Sequence, residues 1–236
     1  EIEDLFRSSH YPSRMLDDNM ADLAAQSACN HYGVMALQEL VRASSCEVVL
    51  RNITELYHHA AKVLKSKLLP LTGRRWQGED VLDDGTRIQA LLRYSEEGLQ
   101  VDFSGSGPVH EGNLNATEAI VRSAVLYVLR AWVGDHLPLN EGLLDDVHIK
   151  TPEGILSPVF PEDPSACPAV VGGNVETSQR IVDVLLDALD LQANSQGTMN
   201  NFLFGNAAFA YYETIGGGSG AGPGWSGLSG THVHMS

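Results

Sequence analysis

The chain has 236 residues, 43% of them apolar and 19% charged. Those proportions exclude a collagen, a coiled coil and a wholly disordered chain, and the length suits one large domain or two small ones. A net charge of −15 opposes a phosphate backbone, so no nucleic-acid partner is expected. The one dense basic cluster, Gly73-Arg74-Arg75-Trp76, is too short to make a patch. No membrane association is expected either: the most apolar stretch, Ala119 to Val133, is broken by Arg122, Ser123 and Arg130, short of the roughly 18 residues a span needs. The opening Glu-Ile-Glu-Asp carries no secretory signal, so the expected location is cytoplasmic. Cys29, Cys46 and Cys167 form no Cys-x-x-Cys pair and are read as buried, reduced thiols.

Taken in chain order, Met20, Leu23, Ala24, Ala28, His31, Val34, Met35, Leu37 and Val41 recur at helical spacing, with Asp17 or Asp18 to cap the start. A second stripe, Ile53, Leu56, Tyr57, Ala60, Val63, Leu64 and Leu68, follows Asn52 and Glu55 at capping-box spacing and stops at Pro70. The two predict a helical hairpin over residues 1–72 that must bury its stripe against something.

From residue 73 to 236 the character is mixed. Arg87 to Tyr94 and Leu99 to Phe103 alternate as two strands around Ser95-Glu96-Glu97-Gly98. A helix from about Thr117 to Val133, with Asn115 and Glu118 at capping spacing, is apolar enough to be central and buried. A proline-punctuated stretch then carries one short strand, Asp146 to Lys150. Helix returns from about Glu176 to Leu191 with the stripe Ile181, Val184, Leu185, Ala188 and Leu189. Phe202 to Tyr212 reads as a strand interrupted at Gly205-Asn206. Helices and strands without regular alternation predict an α+β fold, with a helical hairpin on a mixed sheet.

Three segments place polar residues and glycines where a plain core has no use for them. Gly172-Gly173-Asn174-Val175-Glu176-Thr177-Ser178-Gln179-Arg180 enters a helix. It reads either as an N-cap built on Asn174 or Thr177, or as an anion contact on free amides. Ser195-Gln196-Gly197-Thr198-Met199-Asn200-Asn201 has enough amides and hydroxyls to orient a polar ligand, although turn chemistry explains part of it. Gly216 to Gly222 is glycine-rich but lacks the Gly-Lys-Ser/Thr of a phosphate loop, and a linker is its other reading. His232 and His234 share one side if extended and are the candidate contacts to a metal or a substrate, although two ligands alone do not fix a metal.

The wording and order of these segments carry a resemblance. Val101-Asp102-Phe103-Ser104-Gly105, Gly112-Asn113-Leu114-Asn115-Ala116, Pro138-Leu139-Asn140-Glu141-Gly142, Gly173 to Arg180, Ser195 to Asn201, Tyr212 to Gly218 and His232-Val233-His234-Met235 resemble the hydantoinase B/oxoprolinase family. Asp163 to Gly173 is most similar to its 5-oxoprolinase branch. The resemblance implies an internal piece of a larger B-type domain within an ATP-dependent cyclic amidohydrolase that opens 5-oxoproline to glutamate. It implies a hydantoinase A-type subunit or fused domain that handles ATP with Mg2+, an oligomeric parent, and a divalent metal held in a portion preceding this stretch. Onto it fall Glu176, Arg180 and Glu213 as catalytic candidates. Asn174, Thr177, Gln179, Gln196, Thr198, Asn200, Asn201, Gly217 and Gly218 become substrate-binding candidates. Arg180 is the expected carboxylate or phosphate contact and Glu176 or Glu213 the expected base or orienter. The alternative is an assembly module whose catalytic groups lie elsewhere. One departure stands out: the family's usual Arg-Pro after the Leu-Asn-Glu-Gly motif is Asp145-Asp146 here.

Overall fold

The computed structural model describes residues 2–8, 12–13, 15–134, 137, 139–197 and 201–231. The chain divides into two compact units, Glu1–Leu56 and Tyr57–Ser236. The first unit holds a short helix α1 (Ile2–Ser8), the long helix α2 (Leu16–Ala43) and the start of α3 (Cys46–Leu68). None of its described residues is buried: Val34, Leu37, Leu40 and Val41 of α2 all face outward. α3 begins at Cys46, seven residues before the expected stripe, because the Ser45 hydroxyl accepts the Val48 N–H as a cap. Asn52 and Glu55 therefore lie inside the helix rather than at its start.

The second unit is built on a four-stranded mixed sheet in the order β1 (Arg75–Val81), β2 (Arg87–Ser95), β3 (Gly98–Asp102) and β4 (Val147–Lys150). The first three strands are antiparallel, and β4 joins β3 in parallel. Alternation gives the sheet one apolar face. Ile88, Ala90, Leu92, Leu99, Val101 and Phe103 point into the core. They meet α4 (Glu118–Val133), α5 (Glu176–Ala188) and Ala60, Leu64 and Leu68 from the later turns of α3. α4 buries Val121, Val125, Val128 and Leu129 along one face, and Tyr127 on its other side stays exposed. Gly134, in the left-handed conformation, ends that helix.

α5 lies across β1 and β2 and against α4. Gly78 in β1 permits this approach, since a Cβ there would stand 2.2 Å from the Val184 carbonyl oxygen. A separate hairpin follows, β5 (Asn201–Asn206) and β6 (Phe209–Thr214). The interruption expected at Gly205-Asn206 is thus the approach to a turn between two strands. This is an α+β fold.

The thiols correct an expectation. Cys29 and Cys46 are exposed and Cys167 is half-buried, so none is a core residue. Cys29 on α2 and Cys46 at the first turn of α3 both lie in the stretch where no described residue is buried. Among the described residues no helix is long and apolar enough to cross a membrane.

Candidate functional site

Two motif loops interlock before α5 begins. Asn115, expected as a helix cap, is fully buried and serves as a hub instead. Its Oδ1 accepts the His110 N–H at 2.7 Å, and its Nδ2 donates to the carbonyls of His110, Gly112 and Ala169. Gly172 N–H donates to the Asn113 carbonyl at 2.8 Å. At Gly173 only a glycine fits, because a Cβ would lie 2.0 Å from the Asn115 carbonyl oxygen. Thr177 is fully buried, and its hydroxyl donates to the Leu114 carbonyl. Thr177 therefore ties the loop over residues 112–116 to α5, and its hydroxyl is not presented to a ligand.

α5 then carries the titratable groups. Val175 occupies the N-cap position and makes no side-chain cap, so neither Asn174 nor Thr177 caps the helix. Asn174 and Glu176 are exposed at its first turn. Arg180 is held from two directions: Nη1 donates to Asp80 Oδ2 on β1, and Nη2 lies 3.6 Å from Asp183 Oδ2. Asn194 Nδ2 also donates to Asp80 Oδ2, at 3.3 Å. Partial burial pushes the Asp80 carboxyl up. The hydrogen bonds from Arg180, Val81 and Asn194, with the Arg180 charge, outweigh that and hold it below its ordinary value. Asp183 is 2% exposed, and its Oδ1 accepts from Gln179 Nε2 at 3.1 Å.

A groove of about 360 Å³ runs between α4 and α5 beside this network. Asn174, Ser178, Gln179, Asp183, Gln192 and Ser195 supply its polar wall, while Ile120, Ala124, Val182 and Leu186 supply an apolar floor. The size and the mixture suit a small polar ligand with an apolar ring. The expected residues Gln196 and Gly217 border this region. Gly197 packs on the side-chain stem of Gln179, and buried Gly217 packs on the amide of Gln196. The α5 start, the loop at 195–197 and the glycine-rich loop are thereby brought together.

Other expected residues lie apart from the groove lining. Glu213 Oε2 on β6 accepts the Tyr211 hydroxyl at 2.6 Å. Asn201 Oδ1 accepts the hydroxyls of Tyr212 and Thr214, pinning the hairpin register. Gly218 packs on the Leu228 carbonyl. Thr198, Asn200, His232 and His234 lie outside the described residues.

The glycine-rich loop does not fit a triphosphate. Ser219 N–H donates to Leu228, Gly222 N–H donates to Trp225, and the Ala221 carbonyl accepts Ala193 N–H, so the loop is committed to its own fold. It also carries no lysine. Among the described residues no three His, Cys, Asp or Glu side chains stand close enough to hold a metal ion.

Sequence reasoning overlooked Asp80, Asp183 and Asn194. Asp183 had one signal, its spacing of four and three residues from Gln179 and Arg180 on α5, although helical periodicity sets it off the Ile181–Val184–Leu185 stripe. Asp80 had none, since its partner is a hundred residues away.

The family model for hydantoinase B/oxoprolinase matches residues 1–236. The chain belongs to that family. Among curated relatives, the hydantoinase B-type chain is 40% identical to a 5-oxoprolinase of Dictyostelium discoideum over 99% of its own length and 19% of the relative's. It thus spans about a fifth of that enzyme. Among solved structures it shares its fold with an ATP-dependent caprolactamase from Pseudomonas jessenii, at TM-score 0.76 and 20% identity over 97% of this chain and 42% of that one. It also shares it with an acetone carboxylase, at TM-score 0.61 and 16% identity over 82% of this chain and 30% of the other.

Proposed function

We propose that this chain is the B-type portion of an ATP-dependent cyclic amidohydrolase that opens the lactam of 5-oxoproline to glutamate. The observation that carries this reading is the 40% identity to a 5-oxoprolinase along 99% of the chain. The α4–α5 groove supports it chemically. A five-membered lactam offers one N–H, one carbonyl and an apolar ring edge, and the groove offers amides, hydroxyls and an apolar floor.

In this reading Asn174, Gln179 and Gln196 orient the ring amide, and Ser178 and Ser195 contact its polar edge. Arg180 is a positioning residue: its guanidinium fixes Asp183 and ties α5 to β1. Glu176, exposed at the mouth of α5, and Glu213, beside Tyr211, are the carboxylates available as base or orienter. ATP with Mg2+ on a hydantoinase A-type part supplies the activation of the amide. This chain's residues then bind and orient the ring.

The test is ATP turnover by the complete A plus B enzyme. 5-Oxoproline should stimulate it, and Gln179→Ala should lower that stimulation with the complex intact. Stimulation by a hydantoin or a ketone instead of 5-oxoproline overturns the substrate.

A second reading has its own observation. Asn115, Thr177, Arg180 and Asn201 all spend their polar groups on other parts of this chain. The family motifs would then specify an assembly module for a hydantoinase- or carboxylase-type complex. Turnover unchanged in Gln179→Ala and Asn174→Ala, with assembly lost on disrupting Asn115, favours that reading.

A further inference from the structure

The basic cluster at Arg74-Arg75 is too short to be a patch in sequence, and the sheet changes its meaning. Arg75 on β1 stands directly opposite Arg93 on β2. Both are exposed, on the face of the sheet turned away from the core. Like charges directly across an antiparallel pair repel, and such a pair is normally relieved by a neighbouring carboxylate. Here the nearby acids are committed. Asp102 accepts Lys150 Nζ at 3.0 Å, and Glu79 accepts Gln89 Nε2 at 2.9 Å.

Between the arginines lies a groove of about 540 Å³. Gln77 and Gln100 line it with amides, and Leu91, 43% exposed, lines it with apolar surface. Asp102 also lines it, with its charge paired to Lys150. That volume lies in the range of small-molecule sites. We propose that this face binds a small dianion, with one oxyanion gripped by the Arg75 and Arg93 guanidiniums together. Each guanidinium presents a planar fork that matches carboxylate or phosphate oxygens, and an anion between them replaces one repulsion with two charge-assisted contacts. The chain as a whole is acidic, at net −15. Affinity therefore comes from the local fork geometry rather than from a general positive field, and a long polyanion is disfavoured. This inference stands on sheet register, charge and the groove, apart from the amidohydrolase reading.

The test is a backbone-amide chemical-shift titration of the protein at low ionic strength, once with inorganic phosphate and once with glutarate. Saturable shifts centred on residues 75–77, 91–93 and 100 are expected, in the millimolar range or tighter. Either Arg75→Gln or Arg93→Gln should weaken binding about tenfold, and added salt should weaken it further. The tighter of the two anions identifies the source as a phosphate ester or a dicarboxylate. A ligand-free control guards against misreading: removing one arginine of a repelling pair should leave Tm unchanged or raised. Shifts that do not saturate, shifts equal in wild type and both variants, or a Tm lowered in the variants would each overturn the proposal.

Discussion

Asp80 and Asp183 grip one guanidinium from a strand and from its own helix, and the two carboxylates differ in how much they need it. Asp183 is almost fully desolvated, so removing the cation leaves a buried charge with weakened compensation. Arg180→Ala should therefore destabilise the protein by about 2–4 kcal/mol in urea unfolding. The effect should shrink when Asp183 is simultaneously made Asn, because the weakly compensated buried charge is then gone. Acid exposes Asp80 separately. Its native pKa lies below the ordinary 3.8, so its contribution to stability is complete above that value and fades as pH falls through it toward the lower native one. Tm measured against pH should drop on that acid limb, and Asp80→Asn should flatten the drop while lowering stability at neutral pH. Asp145 and Asp146 illustrate a residue-scale departure that the fold absorbs. Asp145 accepts the Tyr57 hydroxyl and Asp146 pairs with Lys65, so both acids fasten the later turns of α3.

Among the elements, glycine positions separate close packing from open helix. Gly173→Ala drives a methyl into the rigid Asn115 carbonyl and should cost more than about 2 kcal/mol, as any core overpacking against backbone does. Gly33, in the middle of α2, has nothing within 4 Å of where its Cβ would be. Gly33→Ala should instead stabilise that helix by about 0.5–1 kcal/mol. Thermal melts of the two variants against wild type check both signs. Legibility at this scale followed periodicity. β2, β3, α4 and α5 carry clean alternation or clean stripes and are readable from sequence. β1 is not, because its inward positions are Trp76, Gly78 and Asp80, which present no apolar alternation. Its place depends on α5 and on Arg180, both distant in the chain. The candidate site divides the same way. The α5 start and the 195–197 loop are visible as polar runs, whereas Asp80 enters only through tertiary pairing. The β5–β6 hairpin adds a dynamic consequence. Its aromatic residues Phe202, Phe204, Phe209 and Tyr211 cluster together, yet every one is exposed. A two-stranded ribbon without a covered face is marginal, so its amides should exchange with solvent faster than those pairing β2 with β3.

On the scale of the whole molecule, the core and the candidate site belong to one unit. Among the described residues every buried hydrophobic side chain lies between Ala60 and Leu189, and none in Glu1–Leu56 is buried. Residues 57–236 should accordingly supply the cooperative transition in a thermal melt, with α2 amides exchanging well before it. The same distribution bears on activity. Hydrolysing an unactivated lactam needs an assembled nucleophile and base or an activating partner. The sequence has no Gly-x-x-x-x-Gly-Lys-Ser/Thr, and the glycine-rich loop spends its amides on Leu228 and Trp225. The groove between α4 and α5 offers orientation through amides and hydroxyls, and its one buried carboxylate is already bound to Gln179 and Arg180. The 236-residue chain, supplied with ATP, Mg2+ and 5-oxoproline, should therefore melt cooperatively and form no glutamate. On the proposed reading, glutamate should appear only when an A-type part is supplied as well. Glutamate produced by this chain alone would mean that the activating chemistry resides within it, and a broad, non-cooperative melt would mean that its core does not stand alone.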